Sequence, residues 1–190
     1  MKTKRSLSDA DARRDTVIDA AIKVFSASGY ASTPVTAVAT EAGISQAYVF
    51  KLFPTKEDLF VAAIDRCYAR IETTLGAAAD AAAGETPVLV LDAMSEGYAR
   101  LIADRTVMML QVHAQAASDI EAIRTAVQSG LGRVVRFAKR RSGADDAAIQ
   151  SFIAFGQLCH LVVATGLTEL DDDWAKSLWA GLYHFEPQQT

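Results

Sequence analysis

The stretch TPVTAVATEAGISQAYVFKLFPTKEDL, Thr33 to Leu59, decides how this chain is read. Thr33 offers an N-cap oxygen ahead of Pro34, whose missing N–H costs nothing at a first helical position, so a helix is predicted from here to Ala42. Gly43 stops it by taking the left-handed conformation that other residues avoid. Ile44 reads as a buried turn residue, and Ser45 can cap a short helix from Gln46 to Leu52, which Pro54 forbids from continuing. Thr55 can cap the next helix, with Glu57 and Asp58 in its positive first turn. Helix, glycine turn and short helix within 33–53 have the dimensions of a helix-turn-helix, whose second helix enters the major groove. A plain helical hairpin has the same spacing, so spacing alone leaves both readings open.

Upstream, Ser8-Asp9-Ala10-Asp11 resembles a capping box, and Val17, Ala21, Val24 and Phe25 mark one face of a first helix ending near Gly29. Downstream, helix formers continue from Thr55 to about Ala83, a span of roughly 40 Å at 1.5 Å per residue. That exceeds what a small domain needs and predicts a helix joining two domains, closed by Gly84-Glu85-Thr86-Pro87. The remainder reads as helices at 88–103, 106–117, 119–141, 145–168 and 172–184, parted by Ser118-Asp119, Ser142-Gly143 and Asp171-Asp172-Asp173. No segment alternates with period two, so the fold class is all-α with about nine helices. A three-helix domain at 1–56 and a helical domain at 57–190 are expected, joined by the 55–83 helix.

The net charge of −4 is unevenly spread. Residues 1–56 hold 8 Lys/Arg against 5 Asp/Glu, giving +3, and residues 57–190 hold 11 against 18, giving −7. The front of the chain therefore favours anions. Cys67 and Cys159 lack any metal or disulfide spacing and read as packing residues in a reduced cytoplasm. The first 14 residues are basic without an apolar run, which is not a secretory signal. The longest apolar stretch, Phe152 to Leu167, carries Gln157, His160 and Thr165; it is too short and polar for a membrane span and is expected to be a buried helix. No Gly-rich phosphate loop, GxSxG elbow, HExxH or paired acidic motif is present, so no enzyme, cofactor or metal is expected.

The residues Ala20-Ala21-x-x-Val24-Phe25, Gly29-Tyr30, Thr33-Pro34-Val35, Val38-Ala39, Glu41-Ala42-Gly43-Ile44-Ser45 and Phe53-Pro54-Thr55-Lys56-Glu57-Asp58-Leu59 closely resemble the tetracycline-repressor family of bacterial transcriptional regulators. The resemblance covers about residues 13–60; beyond it the chain is similar in helix order and length. It implies a homodimer that binds a palindromic double-stranded DNA operator, acts as a repressor and is released by a small-molecule effector. It also implies dimerisation through the last two long helices, here 145–168 and 172–184, and a ligand pocket in the second domain.

Each part of the motif then has a physical task. Val17, Ala21, Phe25, Val35, Val38, Ala39, Ile44, Val49, Phe53 and Leu59 supply a small core, and Ala39 and Gly43 let the motif helices approach. Gln46, Ala47, Tyr48, Phe50 and Lys51 are expected to face DNA: an amide for base edges, a methyl for thymine, a cation for guanine or phosphate. Thr33, Thr36, Ser45 and Lys56 stand at helix starts, where backbone N–H groups favour phosphate, and simple capping by Thr33 and Ser45 is compatible with that. Arg13 and Arg14 lie either near DNA or on solvated surface. The family has Ser or Thr where this chain has Tyr48, and Tyr, with a phosphate-reaching hydroxyl, where it has Phe50. Phe50 is expected to touch sugar or a thymine methyl and Tyr48 the backbone or a base; alternatively, one ring packs against the first helix.

In the second domain, Ile149, Phe152, Ile153, Gly156, Cys159 and Val163, with Trp174, Leu178, Leu182 and Phe185, suit either a dimer bundle or intramolecular core. Met94, Tyr98, Met108, Met109, Val112, His113, Phe137 and Phe155 are the pocket candidates, and they point to an apolar or amphipathic effector. Each alone suits a core equally well. Cys159 and His160 are adjacent on a helix and point about 100° apart, a poor chelating pair. Arg133, Arg136, Lys139, Arg140 and Arg141 sit at a helix C-terminus, where the dipole stabilises cations. The rivals are an enzyme, which no motif supports, and a helical scaffold without DNA affinity.

Overall fold

Most helices lie close to where the sequence puts them. The computed structural model describes residues 3–182, with side chains from Asp11 onward. Its helices are α1 (Thr3–Ser32), α2 (Val35–Glu41), α3 (Gln46–Leu52), α4 (Lys56–Ala81), α5 (Pro87–Ile102), α6 (Arg105–Ala116), α7 (Glu121–Ser142), α8 (Asp146–Thr165) and α9 (Asp173–Trp179). A 3₁₀ turn covers Leu167–Glu169, and no strand occurs among the described residues. The fold is all-α. Because α1 already begins at Thr3, Ser8–Asp11 lies inside the helix and not at its cap, a correction to the capping-box reading.

Two compact units divide the chain: residues up to Cys67 together with Leu110–Gly130, and Tyr68–Met109 together with Leu131 onward. In the first, Val17, Ala21, Phe25, Val35, Val38, Ala39, Val49, Phe53 and Leu59 are buried as expected, while Ile44 is half-buried. Phe60 joins them, its ring 4.7 Å from that of Phe25 in an edge-on pair and 5.1 Å from that of Tyr30. Arg66 of α4 pairs with Asp15 and Asp19 of α1.

In the second unit, Gly97 of α5 lets α4 approach, since a Cβ there would lie 3.0 Å from the Ala78 methyl. Arg133 of α7 donates to Glu72 at 2.8 Å, Arg141 pairs with Asp80, and Lys139 pairs with Asp146, holding that carboxyl below the usual range. Three cations of the basic α7 end are thus engaged by carboxylates.

Asp145 caps α8, accepting from the Ala148 N–H at 2.8 Å, and left-handed Gly166 ends it. The expectation of a buried helix here is corrected. Helix α8 is 20 residues and, by length and composition alone, apolar enough to cross a membrane, but only 22% of that stretch is buried. Phe155 is 55% exposed and Leu161 50%, with Trp174 of α9 at 57%. Helix α9 ends at Trp179, earlier than expected, and Phe185 lies outside the described residues.

Candidate nucleic-acid interface

The turn between α2 and α3 is closed by its own backbone. Gly43 has φ 66°; its N–H donates to the Thr40 carbonyl at 3.1 Å, and the Ile44 N–H donates to the Ala39 carbonyl at 3.0 Å. That is a Schellman cap, satisfying the last carbonyls of α2 without any side chain. Ser45 then starts α3, its hydroxyl oxygen accepting from the Tyr48 N–H at 3.2 Å. Thr55 and Asp58 cap α4 reciprocally: the Thr55 N–H donates to Asp58 Oδ2 at 3.1 Å and the Asp58 N–H to Thr55 Oγ1 at 3.0 Å.

On α3, Val49 is fully buried while Gln46, Ala47, Phe50 and Lys51 are exposed, a one- and four-residue spacing that lines one helix face. The structure brings these four together on the open side of the motif. Tyr48 is half-buried, its ring within 5.8 Å of the Arg13 guanidinium. Thr36 and Ser45 are exposed at the starts of α2 and α3.

Thr33 needs correction. Pro34, not Thr33, is the N-cap residue of α2, and no side chain caps that end. Thr33 is buried and its hydroxyl donates to the Gly29 carbonyl at 2.7 Å, so it is not offered to a phosphate. Lys56 is half-buried, donating to the Ala31 carbonyl at 3.2 Å and lying 4.7 Å from the centre of the Tyr30 ring. Desolvation lowers its ammonium pKa, and burial, helped by Glu57, raises that of the Tyr30 phenol.

Sequence reasoning left Arg14 undecided. Its Nη1 donates to the Leu52 carbonyl at 2.7 Å, and its guanidinium lies 4.1 Å from the centre of the Phe53 ring. It thereby tethers α1 to the C-terminal end of the exposed helix, where a cation meets the negative end of the dipole.

The pocket candidates do not all meet. Tyr98, Met108 and Met109 pack together with Ile102 and Cys159, and Met94 is fully buried in the same unit. Phe137 is half-buried near Gly76. Val112 and His113 belong to the first unit, and exposed Phe155 is not part of this packed cluster, whereas its neighbour Gly156 faces the Tyr98 ring.

His160, weighed from the sequence only as half of a poor chelating pair with Cys159, meets Tyr98 instead. It is buried, its Nε2 lies 2.5 Å from the Tyr98 hydroxyl, and its buried Nδ1 has no hydrogen-bond partner. Burial lowers its pKa to about 4, so the imidazole is neutral. No group of three or more metal-ligating side chains occurs among the described residues. In the first unit, Glu57, Val61 and Asp65 face Glu121 and Thr125 across an open groove of about 580 Å³, which none of the pocket candidates lines.

Residues 17–63 match the model of the bacterial regulatory proteins of the tetR family. This segment is a tetR-family domain. The chain is similar to a solved TetR-like transcriptional regulator from Rhodococcus sp. RHA1, with 26% identity, 90% of this chain and 96% of that chain covered, and a TM-score of 0.63. It is also similar to the multidrug binding protein EbrR, solved with proflavin: 25% identity, 90% and 99% covered, TM-score 0.57. The fold further resembles that of FadR from Bacillus subtilis, solved with stearoyl-CoA, at 16% identity, 90% and 96% covered, and a TM-score of 0.67. No curated protein matches the chain.

Proposed function

We propose that this chain is a cytoplasmic, ligand-responsive repressor that binds a palindromic operator as a homodimer and leaves it when a small-molecule effector binds. The observation that carries the reading is the exposed α3 face of Gln46, Ala47, Phe50 and Lys51, held on buried Val49 and presented by a tetR-family domain. Thr36, Ser45, Tyr48 and Lys56 complete the DNA-facing set. Residues 1–56 read DNA and residues 57–190 bind ligand and dimerise, with no catalytic role for either. One such helix makes too few base contacts for specific binding, so a second, twofold-related copy is needed. The apolar side chains exposed on α8 and α9 supply the face that meets it.

The effector enters beside Met94, Tyr98, Met108, Met109 and Phe137, and it is apolar with one hydrogen-bonding group for the Tyr98–His160 pair. Because that imidazole is neutral, it recognises a hydroxyl or amide and gives no full charge to an anion. Similarity to regulators solved with proflavin and stearoyl-CoA, each of which has a large apolar portion, supports an effector with an apolar body. By linkage, effector and operator weaken each other's binding equally, typically by about 1–3 kcal/mol.

A mobility-shift assay with the DNA upstream of the regulator's own gene tests the reading. A twofold-symmetric footprint is expected, and sequencing the DNA pulled down by the protein gives the operator. A helical scaffold without DNA affinity produces no shift and no enriched sequence.

A further inference from the structure

Three features of the first unit meet at Tyr48. Its ring is half-buried and lies 5.8 Å from the Arg13 guanidinium of α1 and 5.9 Å from the Lys51 ammonium of α3, both within reach of a cation–π contact. The neighbouring Arg14 is bonded to the Leu52 carbonyl and stacked on Phe53, which fixes the register of α1 against the end of α3. Arg13 is therefore carried to α3 by a tether that does not depend on DNA. Both cations lie beside the exposed helix, and Phe50, two positions on, has no hydroxyl to give a phosphate.

We propose that the Tyr48 ring is a positioning platform that holds Arg13 and Lys51 against the DNA backbone, so that the first helix adds a phosphate contact to the reading face. The ring face attracts both cations and limits their rotamers before DNA arrives, which reduces the entropy lost on binding. The phenol hydroxyl has no part in this. The contact is with phosphate and carries no sequence information, so it strengthens binding to every duplex alike. This inference rests on the DNA-binding reading above.

The test uses the full-length protein and a non-specific DNA duplex, with affinity measured across a salt series. Arg13→Ala is expected to reduce the slope of log K against log salt by about 0.9, the share of one phosphate contact on duplex DNA. Tyr48→Leu, which lacks the aromatic face, weakens binding as Arg13→Ala does, and Tyr48→Phe, which keeps that face, loses less than Tyr48→Leu. Combining Tyr48→Leu with Arg13→Ala adds less than the sum of the two. An unchanged slope in Arg13→Ala, or a loss in Tyr48→Phe equal to that in Tyr48→Leu, overturns the inference while leaving DNA binding intact. A parent protein without affinity for any duplex defeats both. Circular dichroism of each variant establishes that it is folded, and Arg13→Ala, which removes an exposed side chain, decides the matter if Tyr48→Leu is not.

Discussion

The imidazole of His113, on α6, lies against the α-carbon of Gly29 at the break in α1: a Cβ built on Gly29 would stand 2.9 Å from Nδ1 and 3.3 Å from Cε1. Gly29 has φ 74° and ψ 175°, a region essentially reserved to glycine. Gly29→Ala is therefore expected to cost about 1–3 kcal/mol from backbone strain, with overpacking against His113 added. His113→Ala in the same chain relieves the overpacking and leaves the strain. A urea series on the parent, Gly29→Ala, His113→Ala and the double variant separates the two terms, and a Gly29→Ala variant as stable as the parent contradicts both.

Arg14→Ala should lower stability by about 1 kcal/mol, since a charged donor leaves the Leu52 carbonyl and a guanidinium leaves the Phe53 ring. Arg14→Lys recovers part of that at most, because an ammonium cannot stack as a plane. Thermal melting reads the loss. A parent-like melting point for Arg14→Ala would mean that the tether contributes nothing.

Phe50 is 39% exposed on the α3 face, with room for the hydroxyl that the family pattern carries there. Phe50→Tyr is expected to tighten binding to all duplexes by about 0.5–1.5 kcal/mol. Equal gains on operator and random DNA mark a phosphate contact; a gain confined to the operator marks a base contact instead.

His160 introduces a pH dependence. Its folded pKa of about 4 lies below the ordinary imidazole value of 6.5, so between these two the unfolded chain binds the extra proton. Stability from the neutral buried ring is thus complete above pH 6.5 and declines as pH falls toward 4. The slope is about 1.4 kcal/mol per pH unit at its steepest. His160→Gln should be less stable than the parent at neutral pH, and the gap should narrow on acidification. A gap that stays constant with pH would show that the ring is not desolvated.

Phe155→Glu and Trp174→Glu place a charge on the exposed apolar side of α8 and α9, where desolvating it against a second copy is costly. Sedimentation should report a dimer for the parent and monomers for the variants, with specific DNA affinity lost and folding kept. Variants that sediment with the parent would assign this face to some other contact.

Helix limits were legible wherever the chain carries its own cap. Gly43, Ser45, Pro54 and Thr55 act within a few residues of themselves, so a local pattern is sufficient. Thr33-Pro34 misled because the pattern of a capped proline start also fits a chain that leaves α1 one turn later; Pro34 takes the cap position and Thr33 turns inward to Gly29. The exposed face of α3 was readable from the burial of Val49. Arg14 to Leu52 and Tyr98 to His160 were not, since 38 and 62 residues separate the partners and no periodicity encodes such meetings. Methionine and aromatic spacing likewise could not separate exposed Phe155 from buried Met94, because both satisfy the same helical period.

The first compact unit is assembled from two stretches of chain, one up to Cys67 and the other Leu110–Gly130. During synthesis the ribosome delivers the second stretch only after all of α5, so the reading head remains unfinished while its own motif is already outside the exit tunnel. The same arrangement limits engineering. A chimaera that grafts the first 67 residues onto a foreign sensor would leave the Gly29 kink without His113 and the α4 groove without its α7 wall. The transferable cassette is the pair of segments, and a sensor exchange has to keep α6 and the start of α7 from this protein.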